Sequence, residues 1–152
     1  MNSSRVREQD GFTLIELMVV VLIIAILIAI AIPTFLGLRA RAQDRSAMSD
    51  LRNGFIAVKA FYTDDESYAG FNAAEGEAIE PSLEWVDSDS PAVGLTGVAG
   101  VTATTVVLNR VSDSGTAFCL ADDTASAGGI ARGMGTAATY AACLALPDWR
   151  PG

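Results

Sequence analysis

The sequence predicts an α+β protein: a long N-terminal α-helix packed against a small antiparallel β-sheet head. Three observations predict it. The 21 residues from Phe12 to Ile32 carry a single charge. Apolar residues then recur at helical spacing as far as Tyr62. Beyond residue 63 the chain changes to short β-type runs separated by Gly, Ser and Asp.

A chain of 152 residues suits one domain of ordinary size. Apolar residues make up 51% and charged residues 18%, below the roughly 25% charged content of soluble domains. The excess is local, because Leu17 to Ile32 is sixteen consecutive residues without a polar side chain.

Residues 1–11 (MNSSRVREQDG) are polar, with Arg5 and Arg7 set against Glu8 and Asp10. The apolar run that follows spans about 31 Å as a helix, close to the hydrocarbon thickness of a bilayer. A cleaved secretory signal would have an apolar core of about 7–15 residues and a small-residue cleavage site. Ile32-Pro33-Thr34 offers no such site, so a retained membrane helix over 12–38 is expected. Pro33 is expected to kink or loosen it, since proline removes a backbone donor and crowds the preceding turn.

Helical patterning continues over 39–62. Met48, Leu51, Phe55, Val58 and Tyr62 form one apolar stripe. Arg41, Asp44, Arg45, Arg52 and Lys59 fall mainly off it. Such a stripe needs a cover, and residues 63–152 must supply it. Asp64-Asp65-Glu66-Ser67 ends the helix. Residues 66–92 read as a connecting region rich in acids, Gly, Ser and Pro. Strands are expected within Val101–Val111, Ala117–Leu120 and Tyr140–Leu144, with three to five strands in all. Residues 124–139 read as a Gly-rich loop or irregular edge.

Charge divides along the chain. Residues 63–152 hold thirteen acids and three bases, Arg110, Arg132 and Arg150, whereas residues 34–62 hold five bases and two acids. A basic stem and an acidic head are either complementary between neighbours or simply solvated. Arg39, Arg41, Arg45 and Arg52 suit phospholipid head groups or nucleic-acid phosphates. The plainer reading is a solvated face with Asp44 and Asp50 as local partners, and nothing in the sequence supports nucleic acid.

The chain has no histidine, which excludes Ser-His-Asp and Cys-His mechanisms within it. With only two cysteines a zinc site is not expected. Lys59 is the single lysine and no Gly-Lys-Ser/Thr sequence occurs, so there is no P-loop. No enzyme activity, metal or cofactor is expected. Residues 128–135 lack the strand–loop–helix context of an anion cradle. Cys119 and Cys143 would be free thiols in a cytosolic protein and a disulfide in an exported one.

Gly11-Phe12-Thr13-Leu14-Ile15-Glu16-Leu17, a polar leader ending in Gly before an apolar run with one Glu, resembles the N-terminus of type IV pilins and of type II secretion pseudopilins. The resemblance is close over Gly11 to Tyr62. It implies that residues 1–11 are a leader, that a prepilin peptidase cuts between Gly11 and Phe12, and that the new Phe12 amine is methylated. Pro33 matches the family's helix proline. Phe61-Tyr62-Thr63-Asp64 followed by Ser67-Tyr68 is similar to its helix-to-head junction. The head, residues 63–152, resembles the family only in general plan, as a helix-packed sheet with a cysteine pair near the end.

Several expectations follow from that resemblance. The chain is a structural subunit of a surface filament serving adhesion, motility or DNA uptake. Before assembly it is a single-pass protein of the cytoplasmic membrane. Its partners are copies of itself, other pilins, the prepilin peptidase, an inner-membrane assembly platform and membrane lipid. The head lies outside, where Cys119 and Cys143 form a disulfide that closes a C-terminal loop. Counting basic residues beside the helix points the other way, with two before it and Arg39, Arg41 and Arg45 after it. The specific motif is given precedence over that bias. Glu16 has two readings, a capping-box partner of Thr13 and a charge partner for a neighbour's Phe12 amine in the filament. The alternatives are a pseudopilin, or a non-polymerising single-span protein with a ligand-binding head.

Overall fold

The structure is a computed structural model that describes residues 11–127 and 129–148. Residues 1–10, which hold most of the expected leader, Gly128 and residues 149–152, Arg150 among them, lie outside the described residues. Helix α1 runs from Leu14 to Asp65 with Pro33 in its interior. The chain divides into two compact units, Met1–Leu38 and Arg39–Gly152.

In the first unit the helix is apolar on every side. Its large hydrophobic residues from Phe12 to Leu38 are 45–80% exposed. It is long and apolar enough to cross a membrane. Pro33 cannot donate to the carbonyl of Ala29, and the Thr34 hydroxyl donates to the Ile30 carbonyl at 3.2 Å.

In the second unit the rest of α1 packs on a five-stranded sheet. The strands are β1 (Trp85–Val86), β2 (Thr96–Ala99), β3 (Thr105–Val111), β4 (Ala117–Asp123) and β5 (Gly129–Met134), in that spatial order. β1 pairs with β2 in parallel and the other neighbours are antiparallel. Two short helices complete it, α2 (Ala73–Ile79) and α3 (Tyr140–Leu144).

The expected stripe is the packed face of α1. Leu51 and Val58 are fully buried with Ala47, while Met48, Phe55 and Tyr62 flank them. They meet Val106, Leu108, Phe118 and Leu120, the side chains on one face of β3 and β4. Gly54 lets the sheet come close, since a Cβ there would lie 3.1 Å from the Trp85 ring and 3.3 Å from Leu108. The alternate residues Val107, Cys119 and Ala121 point to the other face, where Ala131, Ala137 and Cys143 cover them. Because both faces are covered, β3 and β4 read as continuous apolar runs rather than as an alternation.

Four sequence expectations are corrected. Tyr140–Leu144 is a helix, capped by the Thr139 hydroxyl, which accepts from the Ala142 amide at 3.2 Å. Residues 124–139 contain strand β5. Residues 66–92 contain α2 and β1 as well as connections. Helix α2 begins where the Asn72 side chain accepts from the Ala74 and Glu75 amides. The strand expected over Val101–Val111 begins only at Thr105, and a separate strand, Thr96–Ala99, precedes it. The sheet is antiparallel except at β1.

Candidate functional site

The residues that carry the N-terminal motif surround the start of α1. Gly11, Phe12 and Thr13 precede the helix in irregular backbone. Thr13 caps it: the hydroxyl accepts from the Glu16 amide at 3.2 Å, and the Thr13 carbonyl accepts from the Leu17 amide at 3.2 Å. Phe12 is 80% exposed just before that cap.

Glu16 lies in the first helical turn, where a carboxylate suits the positive end of the helix dipole. Half of the capping box is present, because the Glu16 amide reaches Thr13. Among the described residues the Glu16 carboxylate has neither a hydrogen bond nor an ion pair. An apolar environment penalises such a group by several kcal/mol unless it gains a partner or a proton. Beyond Thr13 its described neighbours along the helix are apolar, with Leu14, Ile15, Leu17, Met18 and Val19 all exposed. A carboxylate without a partner among the described residues, on an exposed apolar helix, is therefore the outstanding chemical feature of this segment.

Cys119 on β4 and Cys143 on α3 form a disulfide across 24 positions of sequence. Asn109 makes a second tie to the same segment. Its side-chain amide donates to the Ala137 carbonyl at 2.9 Å, and its side-chain oxygen accepts from the Ala137 amide at 2.8 Å. Both backbone groups of Ala137 are thus satisfied in a buried place.

The stem arginines Arg39, Arg41, Arg45 and Arg52 are exposed. Asp44 and Asp50, expected as their local partners, turn toward the head instead. Asp50 pairs with Arg110 at 2.8 Å, and Asp44 accepts from the Ser114 hydroxyl at 2.5 Å. Residues 129–134 of the Gly-rich stretch form strand β5, which is not the geometry of an anion cradle.

Sequence reasoning misses a partly buried polar cluster. Lys59 donates to the Tyr68 hydroxyl at 2.8 Å and to Asp122 Oδ2 at 2.5 Å, and the Tyr68 hydroxyl donates to the same carboxylate oxygen. Burial, then the bond to Asp122, then the negative charges of Asp122 and Tyr62 hold the Tyr68 phenol well above its ordinary pKa of 10.0. Nothing local in the sequence links the three positions. The one hint in the sequence is that Lys59 is the chain's single lysine. The cluster fastens α1 to β4. Among the described residues no group of three or more His, Cys, Asp or Glu side chains has the arrangement of a metal site.

The prokaryotic N-terminal methylation motif matches residues 6–32. The type IV major pilin protein PilA of Myxococcus xanthus is 46% identical over 81 residues, which is 53% of this chain and 37% of that protein. The fimbrial protein EcpC of Eikenella corrodens is 39% identical over 98 residues, 64% of this chain and 63% of that protein. The type IV wide pilus major component PilA4 of Thermus thermophilus is 41% identical over 68 residues, 45% and 52% of the two chains. The chain thus matches between about a third and two thirds of these relatives' own length. No solved structure matches.

Proposed function

We infer that this chain, a type IV pilin by its N-terminal motif and its relatives, is a structural subunit that polymerises into a surface filament. The observation that supports it best is the Glu16 carboxylate, without a partner among the described residues, on a helix whose large apolar side chains are exposed. Packing such helices side by side buries that surface, at about 25 cal/mol per Å² of apolar area. It also forces Glu16 to find a cation, and the nearest one on a staggered neighbour is the amine of Phe12.

The steps toward that state follow from the same residues. A prepilin peptidase removes residues 1–11 by cutting between Gly11 and Phe12, and the new Phe12 amine is methylated. The irregular, exposed backbone before the Thr13 cap suits this, because a peptidase needs an extended strand rather than a helix. Residues 12–38 then span the cytoplasmic membrane before assembly and line the filament core after it, with Pro33 supplying a weak point in the helix. Residues 39–62 carry the head, residues 63–152, outside the membrane, where the Cys119–Cys143 bond is at home. The partners are other copies, related pilins, an inner-membrane assembly platform and lipid. Catalysis plays no part in this role.

Intact-mass measurement of the subunit, from membranes and from sheared surface filaments, tests the reading. A chain beginning at Phe12 with a methylated amine in both fractions is expected. A mature species beginning elsewhere, or absence of the chain from filaments, would contradict it.

A further inference from the structure

Lys59, Tyr68 and Asp122 form a closed triangle of donors and acceptors. Lys59 Nζ donates to the Tyr68 hydroxyl at 2.8 Å and to Asp122 Oδ2 at 2.5 Å, and the Tyr68 hydroxyl donates to that same oxygen. An amine, a carboxyl group and a proton carrier that touches both are the components of amide condensation. Lys59 and Asp122 lie 63 positions apart, on α1 and on the interior strand β4.

The surroundings lower the cost of making both groups neutral. The rings of Phe55, Tyr62 and Tyr68 stand 5.4, 5.7 and 5.6 Å from the ammonium. Tyr68 is fully buried, and the Asp122 side chain is 4% exposed. Low polarity disfavours the charged forms. A proton shift along the 2.5 Å contact turns the ion pair into an amine and a carboxylic acid. The Lys59 side chain is 40% exposed, which leaves an open side through which a small product can escape.

We propose that Lys59 and Asp122 condense to an intramolecular amide, so that α1 and β4 become covalently joined in the folded subunit. The triangle is the state before condensation. Nζ, once neutral, attacks the Asp122 carboxyl carbon and forms the new carbon–nitrogen bond. The nitrogen passes a second proton to the Tyr68 hydroxyl while Tyr68 passes its own to Oδ2. The bond from carbon to Oδ2 breaks, and Oδ2 leaves as water. One N–H remains on the amide, Tyr68 ends as it began, and nothing is oxidised or reduced. Both legs of the relay are hydrogen bonds already present. Condensation of free groups in water is unfavourable, but well-oriented neighbours reach effective concentrations of about 10⁵–10⁸ M. A positioned proton relay adds roughly 10²–10⁴-fold in rate.

The test takes the full-length chain from membranes, reduces it, and reads its intact mass and tryptic peptides. The subunit should be lighter by one water. Trypsin should fail to cut after Lys59 and should release residues 53–110 and 111–132 as one branched peptide. Lys59→Arg keeps the positive charge but lacks the amine, and should show the full mass and no branched peptide. Tyr68→Phe keeps the ring and loses the relay. Its branched fraction, followed after synthesis, should rise at least about tenfold more slowly. Full mass in the wild-type subunit, with cleavage after Lys59, would overturn the proposal. So would a one-water deficit that persists in Lys59→Arg, which would place the loss elsewhere, such as in an aspartate closed on its own backbone. If Lys59→Arg does not accumulate, the wild-type peptides decide alone, because only the amide joins residues 53–110 to residues 111–132 after reduction. An unchanged rate in Tyr68→Phe would overturn the relay.

Discussion

Tyr68 donates its phenolic proton to Asp122, which lies 54 positions later on β4, and receives a hydrogen bond from Lys59 on α1. One carboxylate oxygen on β4 thus ties down Lys59 of α1 and Tyr68 of the connection that follows it. Asp122 is buried, so losing its partners would leave a desolvated charge, a larger penalty than the bonds themselves are worth.

The Tyr68 phenol predicts an alkaline weakness. Its pKa in the folded chain lies above the ordinary 10.0, so the folded state keeps the proton where the unfolded state releases it. That contribution is complete below pH 10 and is lost as pH rises beyond it. Denaturant titrations of the detergent-solubilised subunit should show stability falling above about pH 10. Tyr68→Phe should lower stability by about 1–2 kcal/mol at neutral pH and flatten that alkaline fall. An unchanged alkaline slope in Tyr68→Phe would show that the phenol does not set it.

The C-terminal segment is held twice, by the Cys119–Cys143 bond and by Asn109 on Ala137. Asn109→Ala should cost about 1–3 kcal/mol, because it strands two buried backbone groups. Replacing both cysteines with Ala should cost about 3 kcal/mol on the loop-entropy estimate. The two ties restrain the same segment, so the combined variant should depart from the sum of the separate losses. Urea midpoints of the three variants measure this, and strict additivity would mean that the ties act independently.

Gly76→Ala tests the seat of α2. In an open helix the change would stabilise by about 1 kcal/mol. Here the new Cβ would lie 2.5 Å from the Trp85 ring, and overpacking of this kind typically costs about 1–3 kcal/mol. A lower melting temperature with altered tryptophan fluorescence is expected. A higher one would show that Trp85 yields without penalty.

The sequence reveals the parts of this fold that depend on neighbours along the chain. The stripe of Leu51, Phe55, Val58 and Tyr62 is visible because a helix repeats every 3.6 residues, and the N-terminal motif is contiguous. Strand β5 is hidden because its composition answers to a distant contact. A Cβ on Gly133 would lie 2.4 Å from Leu146 Cβ and 2.8 Å from the Cys143 carbonyl, so the strand must be small-residued there and reads as a loop. Tyr140–Leu144 reads as a strand because five mostly apolar residues are too short to show a period. The Thr139 cap is its one available signal. In the candidate site, Gly11, Phe12 and Glu16 are legible, whereas the Lys59–Tyr68–Asp122 cluster exists only once β4 is laid against α1.

The most direct measurement is sheared-filament yield relative to total membrane subunit for Glu16→Gln and Glu16→Leu. Glutamine can still occupy a capping box at Thr13 but cannot pair as an anion with a neighbour's Phe12 amine. With Glu16 as the charge that sets the register of packed helices, both variants should insert and lose residues 1–11 normally, and both should lose most of their filaments. Wild-type yield from Glu16→Gln would contradict this and reduce Glu16 to a helix cap.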